Sequence, residues 1–384
     1  MNTGQLFGQT SFIPRDGLRV VVTGQVGIDK QPFLEQVIQL AAENGIKAKL
    51  FNVGEMMYKE SPDVAAGRIL DLPISRLNAI RRAVFRDILA EADRTDNIIV
   101  NTHATFRWRH GLFPAFDHDL ILRFAPNMFI TLVDNVDSVH LRLIRDHNSD
   151  HSLKDLLVWR EEEILATELM TSGLGAIGKF VVLARGSGDS ASRTLFQLMF
   201  RPQTKRVYPS YPLSHVMDCP EILAELGKFR KSIEEHFIVF DPGDLEEKRL
   251  HFEALEAAER GEKFIQVTVE GQEVGFDVDE ILGVARDIHA QIYARDFKLI
   301  DQSDMIISYI PQLAGGAAGL SSGVERELQH AHEATKEVYV IWRPAVSPSP
   351  FVTETASAVF TDLSEALDFF AAKGYLAGGT KIPN

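Results

Sequence analysis

The chain has 384 residues with 45% apolar side chains, which fits two domains and supplies material for two cores. Its 54 acids outnumber its 40 bases, for a net charge of −14, which argues against a broad electrostatic footprint for nucleic acid. No apolar run reaches the roughly 18 residues of a membrane span, and a lone cysteine, Cys219, allows no internal disulfide and fits a reducing cytoplasm.

Residues 1–17 lack the basic start and apolar core of a signal peptide and read as a flexible lead. Leu18–Thr23 is a continuous β-branched run and predicts a buried strand. It passes into Gly24-Gln25-Val26-Gly27-Ile28-Asp29-Lys30-Gln31 and then a helix over Phe33–Asn44. Strand, Gly-containing loop, Lys and helix is the arrangement of a phosphate-binding P-loop. Two positions depart from that pattern. Asp29 stands where a second Gly lets the backbone wrap phosphates, and Gln31 stands where a hydroxyl holds magnesium. An ordinary βα turn with a solvated Lys is the competing reading.

Further strands are expected at Ala48–Val53, Asn97–Val100, Met128–Val133 and Val181–Leu183, with helices over Ser75–Ala92 and Ala191–Phe200. The stretches NVGEMM (Asn52 to Met57), LDLP (Leu70 to Pro73) and NTHAT (Asn101 to Thr105), in this order and spacing, resemble the archaeal-type adenylate kinases from Arg19 to Leu183. The resemblance implies a P-loop fold in which Gly24, Gly27, Lys30 and Arg145 contact ATP or another nucleotide. Those kinases carry Asp where Asn101 stands, and closely spaced lid arginines where this chain has only Arg142 and Arg145 before the sequence turns acidic. Phosphoryl transfer depends on magnesium, Lys and Arg neutralising charge. The expectation is therefore a kinase fold, residues 18–200, that holds or senses nucleotide without catalysis. Solvated surface bases are the alternative for Lys30 and Arg145.

Arg201-Pro202-Gln203-Thr204-Lys205 reads as a linker. The second domain, residues 206–384, opens on a strand at Arg206–Tyr208 and a helix over Pro220–His236, followed by a strand at Phe237–Phe240. A hairpin turning at Glu270-Gly271-Gln272 then looks like an insertion. A helix bearing Arg295 and Asp296 leads to an apolar strand, Met305–Ile310, a Gly/Ala/Ser loop, a helix opening on Glu325 and Glu327, and a strand at Val338–Trp342. In α/β sheets such strand–loop–helix units present ligand sites at the carboxyl ends of the strands.

Tyr293-x-Arg295-Asp296, Asp304 and Ser321-x-Gly323-Val324-x-x-Glu327-Leu328 resemble the nucleoside 2-deoxyribosyltransferase family, most closely its nucleotide N-glycosidase branch. The resemblance implies that Glu327 attacks C1′ of the sugar, Asp296 acts as acid/base, and Tyr208 lies beside the nucleophile. Ser321, Ser322 and Gly323 would hold a 5′-phosphate with Arg295 nearby. A buried core Tyr is the alternative for Tyr208, and a helix-dipole role is the alternative for Glu325 and Glu327.

The fold class is thus α/β: two consecutive domains with mostly parallel sheets, P-loop kinase-like and then Rossmann-like. The expected function is cleavage or transfer of the N-glycosidic bond of a (deoxy)nucleoside 5′-monophosphate, with no metal or cofactor needed for that step. An active adenylate kinase and a non-catalytic nucleotide-binding regulator are the alternatives. Small-molecule nucleotides are the expected partners, with neither nucleic acid nor membrane, in a cytoplasmic homo-oligomer.

Overall fold

The computed structural model describes residues 17–108, 111–147, 151–176, 178–186, 190–212 and 216–376. Apart from Gly17 the expected lead lies outside the described residues.

The elements begin with β1 (Arg19–Thr23), α1 (Lys30–Glu43), β2 (Lys49–Asn52), α2 (Val53–Lys59), α3 (Ile74–Ala92), β3 (Ile98–Asn101), β4 (Thr105–Trp108) and β5 (Gly111–Pro114). They continue with α4 (His118–Phe124), β6 (Met128–Val133), α5 (Val136–His147), α6 (Leu153–Gly173), β7 (Phe180–Ala184) and α7 (Ser190–Phe200). Next come β8 (Arg206–Ser210), α8 (Pro220–His236), β9 (Ile238–Val239), α9 (Glu247–Glu259), β10 (Phe264–Val269), β11 (Gln272–Asp277) and α10 (Val278–Asp301). The chain closes on β12 (Met305–Ile310), α11 (Ser322–Glu333), β13 (Glu337–Trp342), α12 (Pro350–Thr353), β14 (Ala358–Phe360) and α13 (Leu363–Ala372).

Two five-stranded sheets carry the fold, ordered β2-β3-β1-β6-β7 and β14-β13-β12-β8-β9. In the first, β1 pairs in parallel with β3 and β6, and β2 with β3. In the second, β12 pairs in parallel with β13 and β8, β13 with β14, and β8 with β9. Both are mixed α/β layers built on parallel strands, as the continuous apolar runs predict. Val20, Val21 and Val22 of β1 have no exposed surface. Pro209 sits inside β8 without breaking it. Its imide nitrogen lies on the β9 side, where the ladder runs as far as Phe240 N to Val207 O and the strand pairing ends, so Pro209 marks the end of that pairing while β8 stays paired to β12.

By compactness the chain divides into two units that interleave in sequence. Among the described residues, the first gathers those up to Gln25 with Asp29–Leu132 and Trp159–Val181; the second takes Val26–Ile28, Val133–Val158 and those from Val182 onward. The expected single boundary at residues 201–205 differs from this division, because α5 and α7 group with the later residues. Within the second unit, Arg142 of α5 bonds to Glu270, 128 positions further on. In the first unit, Val21, Phe85, Ile98 and Phe129 belong to one core; in the second, Phe229, Ile307, Tyr339 and Phe370 belong to another. Each fully buried Phe contributes about 1.5–3 kcal/mol relative to exposure.

The expected hairpin is present, with β10 and β11 paired from Phe264–Asp277 to Val269–Gln272. Ile265, Val267 and Val269 point inward while Phe264, Gln266 and Thr268 are exposed, the period-2 alternation of a one-sided ribbon. Glu270 (φ 50°) and Gly271 (φ 76°) form its two-residue turn, both left-handed as a type I′ hairpin demands.

Candidate functional site

The loop after β1 runs through three left-handed or otherwise positive-φ positions despite its altered side chains. Gly24 (φ 144°), Gly27 (φ 88°) and Asp29 (φ 53°) all have positive φ. Asp29 therefore adopts the left-handed conformation that glycine gives without strain, and Asp is among the few other residues that visit it. The sequence expectation that Asp29 would spoil the wrap is corrected on this point.

Lys30 is buried, which removes the alternative of a solvated surface base. Its Nζ donates to the Gly24 carbonyl at 2.7 Å and lies 3.4 Å from His103 Nδ1. Burial pulls the ammonium down to about 8, against the charges of Glu163 and Asp29. Glu163 of α6 is buried and accepts from the amides of Gly24 (3.1 Å), Ala104 (2.7 Å) and Thr105 (2.9 Å) and from Thr105 Oγ1 (2.6 Å). This carboxylate ties the start of the loop to the segment after β3. Gln31 Nε2 donates to Glu35 and Glu55, and Asn101 Nδ2 donates to Asn52 Oδ1 at 2.9 Å. Both positions are thus held in amide hydrogen bonds. Arg145 is half-exposed, bonded to Asp146 and 3.5 Å from Glu270.

In the second unit a cavity of about 330 Å³ opens at the carboxyl end of β8, lined by Arg295, Asp296, Ser321, Gly323 and Glu327 among others. Tyr208 lies beneath it. Its hydroxyl donates to Glu327 Oε1 at 3.0 Å, and Ser210 Oγ donates to Oε2 at 2.5 Å. Tyr208 and Ser210 are two positions apart on a strand and so share a face. Tyr208 is fully buried, and burial together with Glu327 and Asp296 pushes its phenol well above the ordinary range, so it stays a donor.

Burial raises Glu327 to about 7; Ser210's hydrogen bond opposes this, the Asp296 charge adds to it, and Tyr208 and Lys248 work against it. Asp296 is also raised by burial, with Arg295 pulling the other way through contacts of 3.2 and 3.3 Å to Oδ1. The cavity thus contains two carboxyls displaced toward neutral pH, the setting of acid/base and nucleophilic work.

The structure brings together Glu327, Asp296, Tyr208, Arg295, Ser321 and Gly323. Ser321 is also the N-cap of α11, its Oγ accepting from Val324 N at 3.2 Å. Ser322 and Glu325 are exposed on the first turn. Asp304 accepts from Arg206 N at 2.8 Å, a structural role in joining β8 to the turn before β12.

Sequence reasoning missed Ser210, readable in principle from its spacing to Tyr208, and Lys248 and Arg249 of α9, which line the same cavity. It also missed Asp241, which binds Tyr211 Oη (2.5 Å) and Arg230 Nε (2.6 Å) beside the site. Burial and the Asp241 charge lift neighbouring Asp244 to about 8. Among the described residues no cluster of three or more His, Cys, Asp or Glu side chains is placed to hold a metal.

Comparison with known proteins bears on the first of these sites. A family model described as an AAA domain matches residues 24–160. The adenylate kinase of Methanococcus vannielii is 24% identical over 188 residues, covering 47% of this chain and 97% of that protein. That of Pyrococcus abyssi is 26% identical over 141 residues, 35% of this chain and 69% of that protein. The N-terminal region is a P-loop kinase-like domain. Among solved structures, a gluconokinase from Sinorhizobium meliloti 1021 aligns over 47% of this chain and 90% of its own at 15% identity. Its TM-score of 0.29 carries no weight in assigning function. The kinase-like domain keeps Gly24 and Lys30 while Gln31 and Asn101 depart from the pattern. No described helix is long and apolar enough to cross a membrane.

Proposed function

We propose that the chain is a nucleotide-processing enzyme whose C-terminal domain cleaves or transfers the N-glycosidic bond of a (deoxy)nucleoside 5′-monophosphate. The observation that carries this reading is Glu327, gripped through both oxygens by Tyr208 and Ser210 in the cavity that Asp296 also lines. Breaking a C1′–N bond builds positive charge on the sugar, which a carboxylate beneath C1′ stabilises and captures. One Glu327 oxygen bonds to C1′ as the C1′–N pair leaves with the base. Asp296, raised by its burial, gives the proton that the base nitrogen takes up. Water or a second base then attacks C1′, Asp296 recovers a proton, and the Glu327 carboxylate is released. Arg295, Lys248 and Arg249 add positive charge to the cavity wall, which suits a phosphate-bearing substrate.

The test is incubation with a panel of purine and pyrimidine monophosphates and chromatography for released base. Release by the parent and none by Glu327→Gln is the expected result. No release from any of them by the parent overturns the assignment.

The second reading is a working nucleoside monophosphate kinase, favoured by the similarity to adenylate kinases and by the loop path through Asp29. Gln31 and Asn101, both held in amide hydrogen bonds, speak for a domain that binds nucleotide without transferring phosphate. ADP formation from ATP and AMP with magnesium separates the two.

A further inference from the structure

The hairpin turn carries an acid where type I′ turns favour Asn, Asp or Gly. That acid, Glu270, meets three arginines of its own unit. Arg142 is almost wholly buried on α5. Its Nη1 is anchored, donating to Asp134 Oδ2 at 2.8 Å and to the Gly27 carbonyl at 3.0 Å. The remaining edge of the guanidinium, Nε and Nη2, converges on Glu270 Oε1, with Nε at 2.7 Å. Arg145 Nη1 stands 3.5 Å from Oε2, and Arg185 Nη1 stands 3.7 Å from Oε1 and 3.2 Å from Asp134. An arginine fixed at one end and offering its Nε–Nη2 edge is a preformed receptor for an oxyanion, and phosphate oxygens fit it as a carboxylate does. Gly27, which Arg142 holds, belongs to the same loop as Lys30.

We propose that Arg142, Arg145 and Arg185 form a polyphosphate-binding site and that Glu270 is its built-in occupant, a carboxylate that a phosphate chain must displace. Asp134 stays in place as the anchor for Arg142 and Arg185. Binding exchanges one anion for another: the phosphate chain takes the guanidinium edges, and Glu270 passes into water. Burial disfavours the Glu270 anion, but the hydrogen bond from Arg142 and the positive charges around it hold the carboxyl below its usual range. The hairpin tip therefore competes as a full anion at neutral pH. The inference rests on the N-terminal loop being a nucleotide site and is independent of the glycosidic chemistry.

The experiment is calorimetric titration of the full chain with ATP and, separately, with inorganic tripolyphosphate, for the parent and for Glu270→Gln. Removing the internal competitor should tighten binding about tenfold or more, within the 5- to 150-fold typical of coupled sites. Arg145→Ala, a change at a half-exposed side chain, should weaken it. A purely structural ion pair predicts the opposite for Glu270→Gln, equal or weaker binding. Tighter binding of both ligands to equal extent assigns the site to the phosphate chain alone, and a preference for ATP assigns it to a nucleotide. Should Glu270→Gln fail to fold, Glu270→Asp, which withdraws the carboxylate by one methylene, must tighten binding in its place. Binding no tighter in the folded variant, or no binding of either ligand to any form, overturns the proposal. Base release is not a readout, so failure here leaves the glycosidic assignment standing.

Discussion

Replacing Glu327 by Gln should cost activity and add stability, and the size of the gain follows from the cavity. Burial moves the Glu327 carboxyl from an ordinary 4.5 to about 7. Folding therefore favours its protonated form. That contribution is full below about 4.5 and is lost as pH rises through about 7, leaving a buried charge at pH 8. The span between the two values corresponds to roughly 3 kcal/mol. The amide introduced by Glu327→Gln does not titrate, so the variant escapes this loss. At pH 8 it should be more stable than the parent by up to about 3 kcal/mol, which for a domain of this size means a Tm higher by roughly 6–12 °C. At pH 5 the difference should be small. Scanning calorimetry of parent and variant from pH 5 to 8 measures it. A Tm difference that does not change with pH refutes the reasoning, because it would mean that Glu327 is not held in a setting that favours its protonated form.

Tyr208→Phe removes the donor to Glu327 Oε1, which favours the anion; the pH–rate midpoint should move above about 7 and base release at neutral pH should fall roughly 10- to 100-fold. Ser210→Ala should shift the same midpoint in the same direction. Because burial holds Lys30 near 8, binding of ATP by the loop after β1 should weaken as pH rises through that value, and Lys30→Met should flatten the profile in a calorimetric titration. With ATP, AMP and magnesium, ADP should form far more slowly than the about 1–100 per second of active kinases, as read by coupled assay.

Much of this organisation is legible in the chain. The runs at β1, β6 and β12 are short, continuous and β-branched, and that length and composition place them as buried strands, while the alternation from Phe264 to Val269 marks the hairpin. Glu327 and Asp296 could be singled out from the chain by resemblance, and the structure puts both in one cavity. What could not be read depends on contacts between distant positions. Glu163 meets Gly24 across 139 positions, and Lys248 reaches the cavity from a helix whose charged pattern resembles any solvated surface. Asp29 misleads because the motif calls for Gly at that position, whereas Asp also visits the left-handed conformation found there. The division into units is hidden for the same reason, since Arg142 and Glu270 are joined only by folding.

The grip on Glu327 makes its two oxygens unlike. Oε2 is clasped by Ser210 at 2.5 Å, while Oε1 has the longer contact of 3.0 Å to Tyr208. The more tightly clasped atom is the poorer electron donor, so under the proposed chemistry Oε1 forms the ester and Oε2 remains its carbonyl oxygen. When the ester is cleaved, charge returns to Oε1 and Tyr208 is already positioned to receive it, assisting the carboxylate as a leaving group. Ser210 meanwhile keeps the side chain from rotating between turnovers. The carboxylate is desymmetrised by the strand beneath it, and an isotope placed in one oxygen should keep its place through many cycles.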